Sequence, residues 1–192
     1  MRWIYEINKD NSVRFALGQI FNPSGKTLLC FGINPSTACP ESIDNTIRKI
    51  INISRYNGYE NWIMLNVYPQ RATNPSDLHI ECDEDLVQSN LLHIRNISKN
   101  YSDSDVLLAY GNLISKRKYL KNCLEEILSL LNDGCRRSIK IIKLTRNGNP
   151  VHPLYQSKTS VLVDYEYECR KLSGANDKPA LEVKTDSDGE KD

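Results

Sequence analysis

Four apolar runs of strand length divide the chain: about residues 26–33, 62–67, 106–110 and 139–144. The first three are continuous rather than alternating, which is the pattern of strands covered on both faces of a parallel sheet. The runs are separated by segments of helical period. Ser42-Ile43-Asp44-Asn45 supplies helix-start chemistry for a helix burying Ile47, Ile50 and Ile51, and Asn57-Gly58 stops it. Asp83-Glu84 opens a second helix, with Leu86, Val87, Leu91, Leu92, Ile94 and Ile97 on a roughly helical stripe. A third helix is predicted from about Ser115 to Leu131. Two shorter strands, 3–7 and 13–17, precede the turn Asn22-Pro23-Ser24-Gly25. Alternating strand and helix predicts an α/β protein, a three-layer α/β/α sandwich with a central, mainly parallel four-stranded sheet.

Polar residues sit where the apolar runs stop. Asn34 follows Phe31-Gly32-Ile33 and precedes Pro35, which cannot extend the ladder. Asn66 ends the second run, Tyr110-Gly111 the third, and a loop from Thr145 to His152 the fourth. In parallel topology these loops collect at one edge of the sheet, where open α/β folds place their ligand crevices. Each residue also has a structural reading. Asn34 can cap a turn, and Asn66 can be a satisfied core amide. Arg71 can be solvated, and Leu154 and Tyr155 can anchor a loop as readily as they stack on a ligand. Ser36 and Thr37 either cap the next segment or hold an anion. His152, between Pro150 and Pro153, is rigidly presented and suited to stabilising developing negative charge.

Composition narrows the field. A chain of 192 residues is long enough for one domain with a real core. No apolar run reaches transmembrane length, and the first residues lack the apolar centre of a signal peptide, so a cytoplasmic monomer without membrane contact is expected. The six cysteines show no metal-ligand spacing, and neither a metal nor a cofactor is expected. The net charge of +1 conceals an acidic end: residues 171–192 read as a disordered tail behind a single domain of 1–170. The remaining body is modestly basic, with clusters at Lys116-Arg117-Lys118 and around Arg136, Arg137 and Lys140 that permit nucleic-acid contact or form solvated faces.

Gly32-Ile33-Asn34-Pro35, Leu65-Asn66-Val67, Leu108-Ala109-Tyr110-Gly111 and His152-Pro153, taken in order, resemble the motif series of the uracil-DNA glycosylase superfamily. Over about residues 12–158, Asn34-Pro35-Ser36-Thr37-Ala38, Asp44, Asn66 with Arg71-Ala72-Thr73, and Gly148 through Tyr155 are similar to a bacterial and phage domain of unknown function with an N-P-S-T-A signature. The glycosylase resemblance implies hydrolysis of an N-glycosidic bond of a uracil or modified base, with nucleic acid or a nucleotide or base as partner. It implies Asn34 and His152 as catalytic residues. Binding roles fall to Ser36, Thr37, Asp44, Asn66, Arg71, Tyr110, Gly111, Leu154 and Tyr155. Ser36 stands where the glycosylases usually carry glycine, and Gln70 about where an iron–sulfur branch carries cysteine, so no cluster is implied. A nucleoside- or nucleotide-level hydrolase and a non-catalytic base- or nucleotide-binding protein are the competing readings.

Overall fold

The computed structural model describes residues 1–132 and 137–165. The expected tail, with Cys135, Arg136 and Cys169, lies outside them. Seven strands form one mixed sheet: β1 (Arg2–Ile7), β2 (Arg14–Ile20), β3 (Thr27–Gly32), β4 (Asn61–Asn66), β5 (Asp105–Leu108), β6 (Ile139–Ile141) and β7 (Val163–Asp164). Three α-helices complete the fold: α1 (Asn45–Tyr56), α2 (Glu84–Asn100) and α3 (Tyr119–Asn132).

The order across the sheet is β1-β2-β4-β3-β5-β6-β7. Its centre, β4-β3-β5-β6, is parallel, as the apolar runs imply. The expectation of a four-stranded sheet is corrected at both flanks. The β1–β2 hairpin joins the edge of β4 antiparallel, and β7 joins β6 antiparallel. The two early strands are expected only as short strands before the Asn22–Gly25 turn, yet β2 is buried along its whole length. Register with β4 adds Leu17, Gly18 and Gln19 to the same sheet.

Alternation along the strands splits the core. Leu28 and Cys30 of β3, with Trp62 and Met64 of β4, pack with Ile47 and Ile50 of α1. Leu29 and Phe31, with Ile63 and Leu65, pack with Val87, Ile94 and Ile97 of α2 and with Leu120, Leu124 and Ile127 of α3. Helix ends follow the expected chemistry. Asp44 caps α1 by accepting from the Ile47 amide (2.8 Å), and Asp83 caps α2 by accepting from Leu86 (3.0 Å). The third helix begins later than expected because Gly111–Ser115 first forms a 3₁₀ turn. No helix among the described residues is long and apolar enough to cross a membrane.

Candidate functional site

The carboxyl ends of the parallel strands carry a cavity of about 140 Å³. Asn34, Ser36, Asp44 and His152 line it, together with Gly32, Thr46, Met64 and Arg14. A larger depression of about 830 Å³ lies at the opposite end of the sheet, against Met1, Arg2, Phe21 and Tyr101, and holds none of the expected site residues. Volume does not decide between them; the chemistry of the lining does.

Asn34 is fixed by its amide nitrogen, which donates to Ala72 O (2.7 Å) and Pro35 O (3.1 Å). Two carbonyls facing one end of the side chain dictate that the NH₂ lies there, so Oδ1 is the free end and a positioned acceptor. Sequence alone left a turn role open, and the two donor bonds tie the turn while Asn34 also lines the cavity.

His152 caps a 3₁₀ turn, Pro153–Tyr155, by accepting from the Leu154 amide at Nδ1 (3.3 Å). An Nδ1 that accepts leaves the single proton of the neutral ring on Nε2, which makes Nε2–H the donor. Burial holds the imidazole pKa below its ordinary value, and the charge of Asp44 pulls weakly the other way. The loop is seated by Gly111. Its φ of +62° suits glycine, its amide donates to Pro150 O (2.8 Å), and a Cβ there would stand 3.2 Å from His152 Cβ.

Asp44 joins the helix cap to the cavity, because Ser36 Oγ donates to its second oxygen (2.7 Å). Asn66 is fully buried at the end of β4, and among the described residues neither its Oδ1 nor its Nδ2 has a hydrogen-bond partner. Asn61, equally buried at the start of the same strand, makes five bonds. It accepts from the Phe21 and Asn22 amides and donates to Asn22 O, Gly25 O and Thr27 Oγ1. An unmade pair of amide bonds costs about 1–3 kcal/mol per group, so Asn66 is the anomalous one. Its Oδ1 lies 3.6 Å from where a Gly32 Cβ would be, and the Met64 methyl lies 2.6 Å from the same point. The missing side chain of Gly32, a cavity residue, thus leaves space on which the Asn66 amide and Met64 converge.

Other expected residues fall elsewhere. Arg71 donates to the carbonyls of Ser36 and Ala38 and to Tyr5 Oη (2.9 Å), which ties down the 36–38 loop rather than lining the cavity. Tyr110 belongs to the core cluster on the α2–α3 side. Thr37 is exposed, Leu154 is half-buried outside the cavity, and Tyr155 is 84% exposed. Among the basic clusters, Arg117 donates to the carbonyls of Ser76, Leu78 and His79 (2.9–3.0 Å), and Arg137 to those of Ser98, Tyr101 and Ser104. Both are loop clamps.

Arg14 is the cavity residue that the sequence pattern does not single out. It is 3% exposed, with Nη1 donating to Ala38 O (2.9 Å) and Nε buried without a partner among the described residues. Burial and the neighbouring Arg71 lower its pKa to about 10, still well above neutrality. The available signal is a cation opening a strand whose other positions are mostly apolar.

A family model described as a protein of unknown function, DUF1643, matches residues 14–154. The chain belongs to the DUF1643 family. The matched span begins at Arg14 and ends at Leu154, so this DUF1643 domain contains every residue that lines the cavity. No curated protein and no solved structure matches the chain.

Proposed function

We propose that this DUF1643 protein is a glycosylase-like hydrolase of the N-glycosidic bond of a uracil or modified base, with the cavity at the strand ends as its active site. The observation that carries the reading is the buried, unpartnered amide of Asn66 beside a cavity that also holds a fixed acceptor and a neutral imidazole donor. A flat base edge with one donor and one acceptor would satisfy both ends of that amide. The resemblance of the motif series to that of the uracil-DNA glycosylases, and helices that cover alternate faces of a sheet with a parallel centre, support the same reading.

In this scheme Met64 withdraws from the space above Gly32 and the base edge meets Asn66. Asn34 Oδ1 accepts a hydrogen bond from a water and holds it for attack on the anomeric carbon. As the C–N bond breaks, its electrons move onto the base, and His152 Nε2–H donates a hydrogen bond to the oxygen where negative charge collects. The proton shed by the attacking water ends on the base, which leaves neutral. A neutral donor suits this step because it stabilises the anion without first giving up a proton. Asp44 keeps Ser36 turned toward itself, which fixes the wall beside the water.

The test is chromatographic detection of free base after incubating the protein with uracil- and modified-base DNA, nucleosides and nucleotides. The reading predicts release from at least one class, reduced about 10²–10³-fold in His152→Ala with the fold retained. No release from any class overturns the hydrolase; binding without release favours the non-catalytic reading.

A further inference from the structure

We infer that the cavity contains an oxyanion subsite built by Arg14 and the first turn of α1, and that the ligand therefore carries a phosphate. The inference deepens the hydrolase reading by naming the substrate's charged group, and it rests on that reading only for the identity of the rest of the ligand.

Arg14 lies at the cavity almost wholly out of solvent, yet only one of its three nitrogens has a protein partner. Nε is buried and orphaned, and Nη2 forms no hydrogen bond among the described residues. Arg71 is close enough to disfavour its charge, and the nearest acid, Asp44, forms no ion pair with either arginine among the described residues. Both Asp44 oxygens are already taken, by the Ile47 amide and by Ser36 Oγ. Two guanidinium groups thus face one engaged carboxylate, with Tyr5 and Cys39 as the other titratable neighbours of Arg14. A buried cation without a counter-ion is unfavourable unless something else supplies the negative charge.

A second element points into the same space. Thr46 and Ile47 line the cavity at the start of α1, and only the Ile47 amide of that turn is used by the cap. The Asn45 and Thr46 amides form no hydrogen bond among the described residues. A twelve-residue helix directs the positive end of its dipole there. A guanidinium with two free nitrogens beside free helix-end amides is the donor set that a phosphate takes. A monomeric nucleotide and a nucleic-acid backbone both offer that group.

The test is calorimetric titration of the full chain with inorganic phosphate, uridine, uridine 5′-monophosphate and a short single-stranded oligonucleotide. The monophosphate is expected to bind at least about tenfold more tightly than uridine, and phosphate alone to raise the melting temperature. Arg14→Gln should erase that preference and Arg14→Lys retain part of it. Should the Gln variant not fold, the wild-type Thr46 amide resonance still reports the subsite by shifting on phosphate addition. An oligonucleotide that binds with the same Arg14 dependence assigns the phosphate to a nucleic acid, and one that does not assigns it to a free nucleotide. Equal binding of uridine and its monophosphate, with no effect of phosphate on the melting temperature or on Thr46, overturns the subsite. Base release and phosphate preference are independent readouts, so either reading can fail while the other stands.

Discussion

Asn66 and Asn61 form a natural control pair on one strand, with the same side chain and the same burial but opposite satisfaction. Replacing Asn61 by leucine strands five hydrogen-bond partners and should destabilise the protein by several kcal/mol. Asn66→Leu removes two unmet groups and keeps the branched shape and heavy-atom count, so it should raise stability by about 1–3 kcal/mol while abolishing ligand binding. Chemical denaturation of the two variants checks the contrast; a destabilised Asn66→Leu would mean that the amide has a structural role. His152 gives a pH signature. Its folded pKa lies below the ordinary 6.5, so above that value the ring is neutral in both folded and unfolded states and stability is level. As pH falls from 6.5 through the folded pKa, the unfolded chain binds the proton more readily and stability drops. The neutral donor is lost at the lower end of that window, as the folded ring itself protonates, so kcat/KM should be flat from pH 6.5 upward and decline in acid. His152→Gln should remove that stability slope. Asn66 was legible as a strand-end polar group, but its contrast with Asn61 was not, because the five partners of Asn61 lie 34–40 positions away along the chain.

Loops are placed by a few backbone commitments at the scale of the element. Asp44 ties α1 to Ser36, Arg71 ties the 36–38 loop down, and Gly111 seats the loop that carries His152. Gly111→Ala adds a methyl 3.2 Å from His152 Cβ at a positive φ, which should cost about 1–2 kcal/mol and shift the imidazole. Activity is then expected to fall more than stability alone explains; thermal melts together with base-release rates separate the two. The helix caps at Asp44 and Asp83 were readable from local chemistry, since capping needs only three or four residues. The role of Arg71 was not. A loop arginine aimed at phosphate and one aimed at carbonyls have the same sequence signal, and only the path of residues 36–38 decides between them. The delayed start of α3 has a similar cause, because the turn at Gly111–Ser115 is set by contact with the His152 loop.

Across the whole molecule, continuous apolar runs reported the parallel centre of the sheet because strands covered on both faces cannot alternate. The antiparallel flanks were not legible. A hairpin's partner strand is fixed by register, and Gly18, where a Cβ would meet Trp62 O at 2.8 Å, shows how close that docking is. Helices on alternate faces leave the carboxyl ends of β3, β4 and β5 open together; Asn34 and His152 line the cavity there, and Asn66 lies beside Gly32 of its lining. Under the proposed function Asn34, Asn66 and His152 serve one ligand. This is tested most directly by following the side-chain amide resonances of ¹⁵N-labelled protein during titration with free bases, nucleosides and nucleoside monophosphates. At least one of these ligands is expected to shift the Asn66 Nδ2 resonance saturably, in parallel with the backbone amides of Gly32 and His152. A ligand that moves Gly32 and His152 while leaving Asn66 untouched would contradict it.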